Sequence, residues 1–320
     1  MPEDTARKSV DNKISSLATS ALAVTAGLSA LTVPNARSEG GEIVSMSRYN
    51  DHLALAQNYP WAAAVTRVDH WDNSPSTTMV ASVVAIAPNV ILTAGHFTPR
   101  DNSTVAQITE VTFGSNYNTS TDKYEVARTM RFPSYVFGDT NTIDLGIIWT
   151  KELIKGFDTP VKFASANVGD VLTMVDYGNY GDVTTGELPS LGDKMAGYAP
   201  VVNNSTGEYP SSLYAALYFT SSGSNGPLNI SGKPFSSGSP WYETGDLAAL
   251  TIAGTNSFGG GYTRALRLDN PDIQTFLNPI VSDSWDLYEA AQSSVPEPSA
   301  AVGGLALLAG LAMKRQRHSL

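Results

Sequence analysis

The feature that most constrains this chain is a run of short β-rich segments broken at regular intervals by turn residues. They lie at Ala62–Val68, Thr78–Ile86, Val90–Thr93, Ile108–Phe113, Tyr124–Met130, Leu145–Trp149, Val171–Tyr177, Lys194–Val202, Leu213–Phe219, Leu247–Ala253 and Gly261–Leu268. Clusters such as Asp72-Asn73-Ser74-Pro75 and Gly223-Ser224-Asn225-Gly226 separate them. Nothing from residue 48 onward reads as a long amphipathic helix until near residue 281. Many short strands with turn signals between them predict an all-β barrel or sandwich. After Asn270-Pro271 the apolar run Ile273 to Ile280 predicts a short closing helix with proline in its first turn. Residues 282–295 read as a spacer.

Composition narrows the chemistry. The 320 residues supply ample material for a large core. There is no cysteine, so neither disulfides nor thiolate metal sites are available. The four histidines, His52, His70, His96 and His318, show no H-x-x-x-H spacing, which argues against a zinc enzyme. No metal and no organic cofactor is expected. The formal charge is −10, and because both ends are cationic the body is more acidic still. Such a surface repels phosphate backbones, so nucleic acid is not an expected partner.

Within the body, Ile86 to Phe97 (IAPNVILTAGHF) combines a short buried strand, small residues and then His96. Thr142-Ile143-Asp144-Leu145-Gly146-Ile147-Ile148 sets one acid at the head of an apolar strand, where a partly buried carboxylate needs a partner. Phe235-Ser236-Ser237-Gly238-Ser239-Pro240 is a serine-glycine turn. Each has a bland alternative, as a structural histidine, a turn aspartate and a surface turn. Together they resemble, in order, the V-L-T-A-A-H-C, D-I-A-L-L and G-D-S-G-[GS]-P motifs of the trypsin-like serine proteases. Tyr59-Pro60-Trp61 and Asp176-Tyr177-Gly178-Asn179-Tyr180-Gly181 resemble the P-W start of that family's first barrel and the G-W/Y-G strand end that begins the second. The resemblance covers about residues 59–280.

The resemblance implies two packed antiparallel six-stranded barrels, at about 59–155 and 160–270, within a domain spanning 48–281 and closed by a helix at 271–280. It implies a serine endopeptidase acting on polypeptides through an acyl-enzyme, with Ser237 as nucleophile, His96 as base and Asp144 orienting the imidazole. The N–H groups of Phe235 and Ser237 would hold the oxyanion, and Ser231, Ser257, Phe258 and Gly259 would bind substrate. Ser231 stands where trypsin carries its acidic specificity residue, so an uncharged residue before the cut is expected. The departures are specific. Gly95 replaces an alanine, Phe97 a disulfide cysteine, and Ser236 the aspartate that receives a new N-terminus in trypsin. Phe235 replaces a glycine whose backbone freedom helps aim an oxyanion donor. That last departure motivates the alternative of a catalytically impaired barrel acting as a surface binding module. A purely structural β-sandwich, in which His96, Asp144 and Ser237 do not converge, is the third.

The two ends read as addresses. Residues 1–38 pair a basic start with an apolar run from Ile14 to Val33, resembling a secretory signal peptide cleaved between Ala30 and Ser38. At residues 296–317, Pro296-Glu297-Pro298, the apolar run Ala300 to Met313 and the Lys314, Arg315, Arg317 cluster resemble a PEP-CTERM sorting signal. The apolar part is short for a spanning helix. This resemblance implies an exosortase-type partner and transfer to the cell envelope of a Gram-negative bacterium, with membrane contact through the C-terminus; a monomer is expected, on no particular motif.

Overall fold

The computed structural model describes residues 41–44, 46–69, 76–99, 106–177, 179–182, 186–188, 191–203, 210–219, 228, 230–232, 236–254 and 261–293. The chain enters through β1 (Gly41–Val44), a single 3-10 turn (Met46–Arg48) and α1 (Tyr49–Ala56). A first closed barrel follows, built from β2 (Ala62–Asp69), β3 (Thr77–Ala87), β4 (Val90–Ala94), β5 (Ala106–Thr112), β6 (Lys123–Arg131) and β7 (Leu145–Thr150), paired in the order β2-β3-β4-β7-β6-β5. The next strands are β8 (Val171–Tyr177), β9 (Asn179–Asp182), β10 (Gly186–Leu188), β11 (Lys194–Val202), β12 (Tyr214–Phe219), β13 (Ile230–Gly232), β14 (Pro240–Glu243), β15 (Asp246–Gly254) and β16 (Gly261–Arg267). Six of them close a second barrel in the order β11-β12-β16-β15-β14-β8. A small sheet, β10-β9-β1-β13, stands beside it. The chain ends its described course in α2 (Pro271–Ser293).

The strands form where the apolar pattern requires them. In β5, Ala106 and Ile108 are buried while Gln107 and Thr109 are exposed, the period-two alternation of a sheet with one wet face. β4 and β7 are buried throughout, because they pair with each other in the middle of the barrel wall and are covered on both faces. Their β-branched residues suit such a position. A second core fills the other barrel around Trp241, Met174, Leu172 and Leu217.

Two boundaries differ from expectation. The folded unit begins before residue 48: β1 pairs antiparallel with β13 and parallel with β9, and Val44 is buried in the second core. Its four residues were too few to show an alternating pattern. At the other end α2 runs on through most of the expected spacer. The reason is a stripe at helical spacing, Ile273, Phe276, Leu277, Ile280 and Trp285, packed on the first barrel, which carries the helix past Pro279. Asn270 caps the start, its Oδ1 accepting from the N–H of Asp272 at 2.9 Å. Farther along, the Ser284 hydroxyl meets Asn89 Oδ1 at 2.6 Å and accepts from the Asn89 N–H at 3.2 Å, tying α2 to the β3–β4 turn. Among the described residues no helix is long and apolar enough to cross a membrane. The signal-like leader and the Pro296-Glu297-Pro298 segment lie outside the described residues.

Candidate active site

β4 ends at Ala94, and the chain turns at once. The N–H of Phe97 donates to Ala94 O at 3.2 Å and that of Thr98 to Gly95 O at 3.1 Å, so His96 projects from the tip of a tight turn. Asp144 immediately precedes β7, whose Leu145 is the register partner of Ala94. The strand pairing therefore brings together an acid and an imidazole 48 residues apart. Asp144 grips His96 twice: Oδ1 accepts the backbone N–H at 2.8 Å and Oδ2 meets Nδ1 at 2.7 Å. A carboxylate can only accept, so Nδ1 carries the ring proton and Nε2 is left as an acceptor. Nε2 lies 2.7 Å from Ser237 Oγ. The imidazole side chain is 27% exposed and the Asp144 side chain 14%, a geometry open enough for a substrate and dry enough to strengthen the bonds.

The neighbouring residues account for this placement. A Cβ on Gly95 would stand 2.9 Å from Asp144 Oδ1, so glycine is what lets the carboxylate reach the His96 amide. The segment after His96 has no disulfide. Two guanidinium groups hold it instead: Arg67 donates to Phe97 O at 2.8 Å and lies 5.5 Å from the centre of the Phe97 ring, and Arg131 Nε donates to Thr98 O at 2.7 Å. From the second barrel, the Tyr214 hydroxyl donates to Thr142 O at 2.5 Å, anchoring the residues that lead into Asp144. Burial, and after it the Asp144 carboxylate, push the Tyr135 phenol upward. Sequence reasoning missed Arg67, Arg131 and Tyr214. Their signal was a charge or hydroxyl in a β run, which does not by itself say what it faces.

Ser237 sits in a turn between β13 and β14. The Ser239 N–H donates to Ser236 O at 3.1 Å, Gly238 N–H to Thr251 O at 2.8 Å, and Thr251 N–H to Ser239 O at 2.9 Å, so the turn is laced to β15. Gly238 has φ +92°, the conformation the third position of a type II turn requires. A Cβ there would also lie 2.3 Å from Ser82 O and 2.6 Å from Thr93 Oγ1. Gly238 is thus the point where the serine turn of one barrel touches the wall of the other. The Ser237 N–H donates to no acceptor among the described residues.

The remaining expected site residues are not all accounted for. Ser231 is on β13, buried, with its hydroxyl 2.9 Å from Thr263 Oγ1. Phe235, Ser257, Phe258 and Gly259 lie outside the described residues. Among the described residues no group of three or more His, Asp or Glu side chains is arranged to hold a metal ion.

Neither protein-family models nor curated protein sequences yield a match to this chain. Solved structures do. One described as "Structure of GrC" is 14% identical with a TM-score of 0.51, over 70% of this chain and 94% of that one. A scabies mite inactivated protease paralogue, S-I1, is 13% identical with a TM-score of 0.51, over 71% of this chain and 96% of that one. At such identity the likeness speaks for the fold alone. The two closed six-stranded barrels, their order and the closing helix together make this the trypsin-like fold.

Proposed function

We propose that this chain is an exported, surface-anchored serine endopeptidase. The observation that carries the reading is the unbroken relay from Asp144 through His96 to Ser237, with 2.7 Å at each link. In the first step Ser237 Oγ attacks a peptide carbonyl carbon and its proton passes to His96 Nε2. The imidazolium so formed is stabilised by Asp144 across Nδ1–H. The carbonyl oxygen, now negative, accepts the Ser237 N–H and that of Phe235. Collapse expels the amine, which leaves with the proton from Nε2, and water then repeats the sequence to free Ser237. No metal or organic group enters the scheme. With Ser231 and Gly259 in place of a charged specificity residue, the bond cut follows an uncharged side chain. Export and anchoring rest on the leader and on the Pro296-Glu297-Pro298 segment, where an exosortase-type enzyme would act. Mass spectrometry of the surface form reads both termini.

The direct test is a fluorophosphonate probe on the purified protein, with intact-mass detection. One adduct on Ser237, absent in Ser237→Ala and in His96→Ala, is the expected result. No adduct on the unsubstituted protein refutes the reading. A second reading, a catalytically impaired barrel used as a surface binding module, is favoured by Phe235 in the glycine position and by the kinship in fold with a protein described as inactivated. It predicts no adduct until Phe235→Gly restores an oxyanion donor.

A further inference from the structure

Beside the serine turn lies a buried carboxylate that the scheme above does not use. Asp176, near the end of β8, is fully buried. Its Oδ1 gathers donors from three parts of the molecule. The Ser239 hydroxyl, two residues past Ser237, approaches at 2.7 Å. The Ser82 hydroxyl, on β3 of the first barrel, donates to the same oxygen. The Tyr177 N–H, on β8 itself, lies 2.8 Å away and also 2.8 Å from Ser82 Oγ. The Ser239 hydroxyl has a single proton and also lies 2.7 Å from Ser236 O. The carboxylate is the stronger acceptor of the two, and Ser236 O already receives the Ser239 N–H. The proton therefore serves Asp176. Ser82 meets the turn a second time, because its carbonyl is the atom against which Gly238 packs.

We infer that Asp176 is a positioning residue for the nucleophile. It joins the serine turn to both barrels at once, and so sets where Ser237 Oγ stands relative to His96, which belongs to the other barrel. The residue directly before the nucleophile, Ser236, brings no charge. The buried carboxylate that reaches this turn comes instead from β8 and needs no cleavage of the chain to be in place. A carboxylate withdrawn from water is costly unless its bonds are made, so the hydroxyls of Ser239 and Ser82 and the position of the turn are mutually enforced. Replacing the acid in Asp176→Asn keeps the shape and one acceptor oxygen but weakens the hold on Ser239. In the folded variant the serine turn loses its register.

This inference rests on the peptidase reading, and the experiment separates the two. Fluorophosphonate inactivation is followed at several probe concentrations for the unsubstituted protein, Asp176→Asn, Ser239→Ala and the double variant, alongside thermal unfolding. Each single variant is expected to slow the maximal inactivation rate by about tenfold, with half-saturating probe concentration little changed. The double variant should be no slower than either single one, because both cut the same link. A merely structural Asp176 would lower the unfolding temperature and leave the inactivation rate of the folded protein alone, which would overturn the inference, as would losses that multiply in the double variant. If Asp176→Asn does not fold, Ser239→Ala carries the same comparison. An unsubstituted protein that takes no probe overturns the peptidase reading and this inference with it. A labelled parent with equally reactive variants overturns this inference alone.

Discussion

Restoring alanine at position 95, where the resemblance expects it, should damage the site while leaving the fold nearly as stable. Gly95 is buried and does not occupy the left-handed region, so Gly95→Ala would ordinarily stabilise. Reduced freedom of the unfolded chain contributes about 0.4–1 kcal/mol and the buried methyl roughly 0.8 kcal/mol. Against this stands crowding, for which overpacking a tight site costs about 1–3 kcal/mol. The new Cβ would meet Asp144 Oδ1 at 2.9 Å and the N and O of Leu145 at 3.0 Å. The Leu145 backbone belongs to β7, held by β4 on one side and β6 on the other, so it cannot give. The Asp144 side chain must. Moving Oδ1 stretches its bond to the His96 N–H and turns Oδ2 away from Nδ1. Hydrogen bonds to a charged group are worth about 1.5–3 kcal/mol, and losing roughly half of one slows reaction about tenfold. The stability terms nearly cancel, so urea unfolding should shift by no more than about 1 kcal/mol while fluorophosphonate labelling of Ser237 slows about tenfold. Labelling at the parental rate in Gly95→Ala would mean that Asp144 can move without consequence, and would break the link drawn between Gly95 and the site.

Gly238→Ala adds a Cβ 2.3 Å from a main-chain oxygen at φ +92°, two independent strains of about 1–3 kcal/mol each. It should lower the urea midpoint and abolish labelling together. His52, on α1, is fully buried: its Nδ1 meets Ala196 O at 2.7 Å, and among the described residues no partner stands at Nε2. Burial is the main cause that lowers its pKa. The unfolded chain then binds the proton more readily, so stability should fall as pH drops below about 6.5 and level off below the folded pKa. Urea midpoints at several pH values should lose that part of the slope in His52→Gln. Lys194 is buried with its Nζ donating to Tyr59 O at 2.9 Å, and burial lowers its pKa to about 8. Its contribution to stability should therefore rise as pH climbs from about 8 to 10.5, and Lys194→Met should remove that rise.

What could be read from the sequence was what repeats or what carries a rare residue type. The long barrel strands announce themselves by β-branched and apolar runs, and β8 and β11 were delimited to the residue. The short strands β1, β9, β10, β13 and β14 were missed, because three or four residues hold too little of a period-two pattern to stand out, and α1 is only two turns long. β1 illustrates the difficulty: its partners β9 and β13 lie far along the chain. His96, Asp144 and Ser237 were legible because each sits in a motif with several matching neighbours. Asp176 was not singled out, because it sat inside a motif quoted for its likeness and nothing local could tell that Ser82 and Ser239 face it.

The departures from the family's motifs acquire physical sense when each is read with the residue it touches. Glycine at 95 admits the carboxylate of Asp144 to the His96 amide. Phenylalanine at 97, in place of a bridging cysteine, lies in a segment held by Arg67 and Arg131. Serine at 236 lacks the charge expected there, and Asp176 reaches the same turn from β8. Each of these contacts lies within a few residues of Asp144, His96 or Ser237 in the chain. A barrel released from chemistry has no need to fix an imidazole between a carboxylate and a hydroxyl, and keeping Asp176 dry is a burden on stability that random drift would tend to relieve. The two intact 2.7 Å links, with such contacts kept around them, therefore weigh toward the peptidase and against the binding module. Phe235 is then the departure on which the choice turns. If its N–H faces the oxygen that Ser237 creates, the fourth departure is of the same kind as the other three.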